Sequence, residues 1–265
     1  MTSWKGGPLN ERVTCTLCPN PGPMTLEGTN TWILSAPGSD EAIVIDPGPL
    51  DEEHLQQVLA DVAGRGARVA LALFTHGHWD HAESLERFAE LTGAPVRGNC
   101  PGAEPVSDGE VLEVAGLRTV AVLTPGHTMD SVCFLLEQDG VLFTGDTILG
   151  RGTTVVAHPD GQLAAYLSSL DRLAGLAADG TVRTLAPGHG PVLTDAAPTV
   201  QQYADHRQER LAQVRDAARE SADLSRSDLA DAVVASVYAD VPRDVWPAAR
   251  QSVLAQLDYL DLGRP

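Results

Sequence analysis

Residues 75–83 read THGHWDHAE, so His76, His78, Asp80 and His81 fall within six positions, directly after the apolar run VALALFT. Imidazole nitrogen and carboxylate oxygen suit zinc and related divalent ions, and a catalytic ion needs several protein ligands with a position left for water. A short irregular loop leaving a strand can turn His76 and His78 toward one ion and Asp80 and His81 toward a neighbour. Two ions roughly 3.5 to 4 Å apart can share a hydroxide and stabilise both the attacking and the leaving oxygen of a displacement. The structural alternative is a solvated loop in which Asp80 caps the next helix. Four ligand-type side chains so close together weigh against it.

The elements that must position these residues are short runs rich in Val, Ile, Leu and Thr, separated by Gly/Pro turns. The pattern predicts strands at 29–34, 41–46, 68–75, 117–124, 131–137, 140–145 and 181–186. Apolar residues at three- and four-residue spacing predict helices at 50–65, 82–91 and 161–176. The turn EQDG between SVCFLLE and VLFTG predicts an antiparallel hairpin. Five of the strands end on a polar residue of the same chemistry: Asp46 after EAIVI, His76 after RVALALFT, His127 in TPGHT, Asp146 in TGDT and His189 in PGHG. In α/β sheets the carboxyl ends of strands border the binding crevice, so one edge of the fold can collect them all. Taken singly, His127 reads equally well as a turn residue, and Asp146 and His189 read more readily as turn or cap residues. Their joint occurrence decides for a site. His54 and His206 lie in helical patterns and His158 in a loop, and these read as packing or surface residues.

From about residue 195 the strand signals stop, and three helical segments follow at 201–220, 225–239 and 245–260, with Ser225 and Asp228 spaced as a cap at the start of the second. The change of texture predicts a catalytic domain over 1–198 and an all-helical appendage over 199–265. A formal net charge of -18 disfavours polyanionic partners unless a basic groove overrides it. The only basic concentration, Arg207, Arg210, Arg215 and Arg219, is interleaved with Asp205, Glu209, Asp216 and Glu220, and reads as a solvated face with intrahelical pairs. No apolar stretch approaches the length of a membrane span, and the N-terminus lacks the pattern of a signal peptide, so the expectation is a cytoplasmic protein. Four cysteines are too few for a disulfide framework, and Cys15 and Cys18 read as reduced thiols in an N-terminal loop.

The ordered set HGHWDH, PGHT, TGD and PGHG resembles the metallo-β-lactamase superfamily over roughly residues 20–195. That resemblance implies an αββα sandwich with a two-metal site along one edge. It assigns His76, His78 and His127 to one ion, Asp80, His81 and His189 to the second, Asp146 to the bridge between them, and Asp46 to orienting a ligand. NPGPMTLEGTNTWIL, GRGTTVV after the bridging acid, and YADHRQER before the tail are similar to the branch that carries a C-terminal winged-helix-like appendage. That branch includes a single-strand endoribonuclease and fungal thioesterases. Two departures argue against carrying over RNA cleavage: Ser131 stands where a histidine often follows PGHT, and LDLGRP leaves little room for a wing hairpin.

The expectation is therefore a hydrolase with two divalent ions, zinc first and iron or manganese as alternatives. A metal-bridged hydroxide attacks a small ester or thioester, and Asp80 or a metal-bound water handles the proton. Endoribonuclease activity at the same site is the alternative, and a nucleic-acid-binding regulator the third reading. A small-molecule substrate is favoured over RNA, no membrane is involved, and self-association is left open.

Overall fold

The computed structural model describes residues 3–221 and 223–262. Along the chain run β1 (Gly7–Pro8), β2 (Val13–Leu17), β3 (Asn30–Leu34), β4 (Glu41–Ile45), α1 (Glu52–Gly64), β5 (Arg68–Phe74), α2 (Trp79–Ala82), α3 (Leu85–Thr92) and β6 (Val96–Gly98). There follow β7 (Val111–Val114), β8 (Leu117–Leu123), β9 (Val132–Leu136), β10 (Val141–Gly145), α4 (Leu163–Ala178), β11 (Thr184–Pro187), α5 (Ala196–Glu220), α6 (Arg226–Val237) and α7 (Trp246–Tyr259).

The strands form two sheets, one ordered β1-β2-β3-β4-β5-β6 and the other β11-β10-β9-β8-β7. Side chains alternate between the two faces of a strand, and each sheet here is covered on both faces, so its central strands are apolar throughout. Trp32, Leu34, Ile43, Ile45 and Leu73 point inward and meet Leu117, Ala121, Phe134, Leu136 and Phe143 of the second sheet. The residues between them turn outward: Ile33, Val44, Ala72 and Phe74 pack on Leu55 and Val58 of α1 and Phe88 of α3. On the far side Val122, Leu135, Leu142 and Leu185 pack on Leu163, Tyr166 and Leu170 of α4 and on Val200 and Tyr203 of α5. The molecule is thus the expected αββα sandwich with a helical appendage. The β9–β10 hairpin is antiparallel, while β4–β5 and β10–β11 are parallel.

All seven strands expected from the sequence are present. β1, β2, β6 and β7 are additional, because each is short or offers no sustained apolar alternation. β2 changes the reading of the CxxC: Cys15 lies on a strand and not in a loop, and both Cys15 and Cys18 are buried free thiols. The helix expected to start near Ala82 is divided: α3 starts at Leu85, after the separate short α2. His78 stands at the N-terminus of α2 without a side-chain cap, and Asp80 lies inside that helix.

α5 is continuous from Ala196 to Glu220. Its first half packs on α4, and Val214 and Ala218 of its second half join a separate core with Leu229, Val233, Val253 and Leu257 of α6 and α7. Ser225 caps α6 by accepting from the Asp228 N–H, and Pro247 sits in the first turn of α7, where its missing N–H costs nothing. Among the described residues no strand follows β11. The end of the chain from Gly263 onward, part of the segment expected to be too short for a wing hairpin, lies outside the described residues. Among those residues no helix is long and apolar enough to cross a membrane.

Candidate metal centre and the cleft beside it

His76, His78, Asp80, His81, His127, Asp146 and His189 converge at the carboxyl ends of β5, β8, β10 and β11. His76, His78 and His127 form one set of converging ligand atoms, and Asp80, His81 and His189 form another. In the first set His78 Nδ1 stands 3.1 Å from His76 Nε2 and 3.0 Å from His127 Nε2. In the second, His189 Nε2 lies 3.2 Å from His81 Nε2 and 3.1 Å from Asp80 Oδ2. Asp146 stands between them: its Oδ1 is 3.4 Å from His81 Nε2 and 3.5 Å from His189 Nε2, while its Oδ2 is 3.8 Å from His127 Nε2.

What lies behind each ring fixes its protonation, because a carbonyl or carboxylate can only accept. His127 Nδ1 faces the Val155 carbonyl at 2.6 Å, His189 Nδ1 the Gly28 carbonyl at 3.1 Å, and His81 Nδ1 the Asp46 carboxylate at 2.8 Å. The Thr75 hydroxyl donates to Asp46 Oδ2 and is left to accept from His76 Nδ1 at 3.1 Å. Four imidazoles are thereby held with Nε2 turned to the centre, where lone pairs gather beside the carboxylates of Asp80 and Asp146. A cation relieves that arrangement. Asp146 Oδ1 is moreover a buried acceptor with no hydrogen-bond partner among the described residues.

Electrostatics show the same pull on positive charge, which protons on His81 and His189 answer wherever an ion does not. Burial opposes charge on His81, yet Asp146, Asp80 and Asp46 together raise it well above the usual imidazole range. Burial likewise opposes ionisation of Asp146, and the charges of His189 and His81 nevertheless hold it well below the usual carboxylate range. Burial pushes His127 down to about 4 against the pull of Asp146, and burial with its neighbouring imidazoles takes His76 well below its usual value. The donor set suits divalent ions of the zinc type, with a neutral imidazole group on one side and a carboxylate-rich group on the other.

Asp46 occupies a left-handed backbone position, φ +51°, uncommon for a residue with a side chain. From there its Oδ1 accepts from the Thr75 N–H at 2.8 Å and its Oδ2 from the Thr75 hydroxyl and His81. Gly188 is needed for space: a Cβ there would lie 2.6 Å from His81 Cε1 and 2.8 Å from Asp146 Oδ1. Gly188→Ala is expected to weaken zinc retention by about tenfold or more, the scale seen when ligand orientation is disturbed, while the fold persists. Equilibrium dialysis alongside circular dichroism checks this, and unchanged zinc affinity would contradict it.

Several supporting residues carry no signal of their own in the sequence. The Asn30 side chain donates to the Pro187 and Gly190 carbonyls at 2.9 and 2.8 Å and so braces the turn bearing His189. The Thr29 hydroxyl donates to the Asp80 carbonyl. Ser131 pairs with the Thr128 hydroxyl at 2.7 Å and stiffens the turn bearing His127. His54 is buried against the Thr31 hydroxyl, as a packing histidine, and His158 pairs with Asp258.

His206 does not fit the packing or surface reading alone, and Arg207 and Arg210 do not form a solvated face. All three line a cleft of about 290 Å³ that also reaches His127 and Asp146. Of the four arginines on α5, only Arg219 has a carboxylate partner, Asp216 at 3.8 Å, among the described residues. The reason is helical phase. Tyr203, Arg207, Leu211, Val214 and Ala218 share the buried stripe of α5, which turns Arg207 inward. That spacing is the signal the sequence offers. The segment Gly152–Val155 forms another wall, and α7 is fastened to it where the Ser252 hydroxyl accepts from the Val156 N–H at 3.1 Å.

Residues 24–104 and 101–189 match the family model described as the metallo-beta-lactamase superfamily, and residues 230–261 match the beta-lactamase associated winged helix domain. An atrochrysone carboxyl ACP thioesterase of Aspergillus chevalieri is 36% identical over 261 residues, covering 94% of this chain and 80% of the relative. The beta-lactamase-like protein 2 homolog of Caenorhabditis elegans is 32% identical over 264 residues, covering 95% of this chain and 85% of the relative. In fold, a metallo-beta-lactamase family protein from Thermus thermophilus superimposes with a TM-score of 0.76 at 24% identity, over 96% of this chain and 94% of that one. With these matches beside the converging histidines and aspartates, the chain belongs to the metallo-beta-lactamase superfamily and is a hydrolytic enzyme with a winged-helix-type helical appendage.

Proposed function

We propose that the protein is a binuclear zinc hydrolase of small esters or thioesters. His76, His78 and His127 hold one ion, Asp80, His81 and His189 the other, and Asp146 spans the two. When bound, the ion pair supplies a deprotonated water as nucleophile at neutral pH and Lewis acidity at the oxygen that gains charge. The chain does the rest. Asp46, Val155 and Gly28 keep the imidazoles in the required tautomers. Asp80, whose side chain is 10% exposed where those of His81 and His189 are fully enclosed, is assigned the proton that must reach the leaving group.

The observation that carries the substrate reading is the cleft. It opens on His127 and Asp146, is enclosed by Leu149, Val155, Val245 and Ala249, and holds only about 290 Å³, at the small end for ligand sites. A compact acyl group fits there. The thioesterase relative adds weight to an acyl-transfer substrate. A single-stranded polyanion needs an exposed basic track, whereas Arg207 here is buried and Arg210 half-buried. The test is a panel of N-acetylcysteamine thioesters, aryl esters and a labelled single-stranded oligoribonucleotide, each with metal-loaded and chelator-treated protein. Chelator-sensitive release of thiol or phenol is expected. Cleavage of the oligoribonucleotide with no ester or thioester turned over would reverse the reading.

A further inference from the structure

The cleft beside the metal centre carries more positive charge than acyl binding requires. Arg151, Arg207 and Arg210 line it, with Asp146 the only acid on its wall among the described residues, in a chain of net charge -18; His206 lies among them, its protonation disfavoured by burial and by Arg207 and Arg210, so it offers a neutral ring. Arg151 is neutralised by Glu27, both carboxylate oxygens lying 2.6 Å from its Nη1. Arg207 and Arg210 have no such partner among the described residues. Arg207 is 5% exposed, donates to the Thr154 carbonyl and lies over the Tyr166 ring at 5.0 Å. Its Nε is buried without a hydrogen-bond partner among the described residues, and so is His206 Nδ1. Arg210 donates to the Val237 carbonyl at 2.6 Å and stacks on Tyr238 at 4.6 Å.

Burying an unpaired cation is costly, and proteins avoid it unless something charged completes the site. Four buried side-chain polar atoms lack partners among the described residues, and three of them, on Asp146, His206 and Arg207, belong to residues lining this one cleft. Asp146 is accounted for by the metal ions. The two on α5 are not. Guanidinium donors aligned with an adjacent imidazole form a receptor for an oxyanion, which guanidinium recognises with two parallel hydrogen bonds. The aromatic rings of Tyr166 and Tyr238 hold both guanidiniums in place beforehand, so little ordering remains to be done when an anion arrives.

We propose that Arg207 and Arg210, with His206, seat an anionic group of the substrate, a carboxylate or a phosphate, while its scissile acyl bond lies at the metal centre. The enzyme would then select charged acyl substrates through its appendage, a specificity that rests on the hydrolase reading but is separable from it. Since the α6–α7 connection completes the cleft through Tyr238, Val241 and Val245, and α7 through Ala249, the helical appendage acts as the specificity wall.

Binding to non-hydrolysable thioethers tests this without any turnover. The probes are an alkyl thioether of N-acetylcysteamine, its carboxyalkyl counterpart of equal length, and the same alkyl thioether of phosphopantetheine. Calorimetry on the zinc-loaded full chain should show one of the two anionic probes binding about tenfold tighter or more than the neutral one, the scale of a charge-assisted pair. The carboxyalkyl probe gaining places the anion on the acyl group, and the phosphopantetheine probe gaining places it on the thiol arm. Arg210→Gln should erase the gain of the anionic probe over the neutral one, each measured on the same variant, with Arg210→Lys restoring part of it. Equal affinity for all three probes, or a gain that survives Arg210→Gln, would overturn the proposal even in a protein that hydrolyses thioesters.

Discussion

Asp146→Ala is expected to lower hydrolysis by on the order of a thousandfold and to release both ions, the largest effect of any single substitution in the protein. The expectation follows from its position. One carboxylate oxygen faces His81 and His189 and the other faces His127, and Asp146 also groups with His76 and His81. Removing it leaves His81 among Asp80 and Asp46 with one opposing charge fewer, and takes from each proposed ligand set the carboxylate proposed to be shared between them. His189→Ala, by contrast, takes a ligand from the second set alone and should retain the ion held by His76, His78 and His127. Elemental analysis of both variants after desalting checks the pair. Normal occupancy and activity in Asp146→Ala would remove the bridging role.

Asp46→Asn is expected to keep the fold and some metal, yet to lose about 10 to 100-fold in zinc affinity or activity. The carboxylate accepts three hydrogen bonds, from the Thr75 N–H, the Thr75 hydroxyl and His81 Nδ1. An amide can accept at one end only, so its NH2 must face a donor whichever way it turns. If the NH2 faces His81, that ring is pushed to the other tautomer and its Nε2 becomes a proton donor aimed at the metal position. If it faces Thr75, the Thr75 N–H loses its acceptor. Wild-type zinc affinity together with wild-type turnover in Asp46→Asn would show that these hydrogen bonds do not govern the ligands.

Much of this site is legible in the sequence because metal ligands on short loops stay close together or repeat at strand ends. HGHWDH gives four of the proposed ligands in one stretch, and the alternation of apolar runs with Asp46, His127, Asp146 and His189 marks the edge where they meet. The strands are legible as apolar runs between turns, whereas the sandwich that layers them is implied only by the resemblance that the ordered motifs carry. The supporting residues are harder to find. Val155 and Gly28 act through backbone carbonyls, which carry no residue signature, and Asn30 works on Pro187 and Gly190 across a separation that only the fold closes. Arg207 misleads because its neighbours in sequence, Asp205 and Glu209, suggest pairs along a wet face. The neighbours that matter are Tyr203 and Leu211, one helical turn to either side, on the buried stripe. Charge interleaving counts composition, whereas burial follows phase.

The most direct test is a zinc titration of metal-free, full-length protein, with bound metal measured after removal of free ion. Two equivalents retained per chain, with activity returning as they bind, is the result predicted by the convergence of His76, His78 and His127 opposite Asp80, His81 and His189. Saturation at one equivalent with full activity would contradict the binuclear centre, and activity that persists with none bound would contradict a metal-dependent hydrolase altogether.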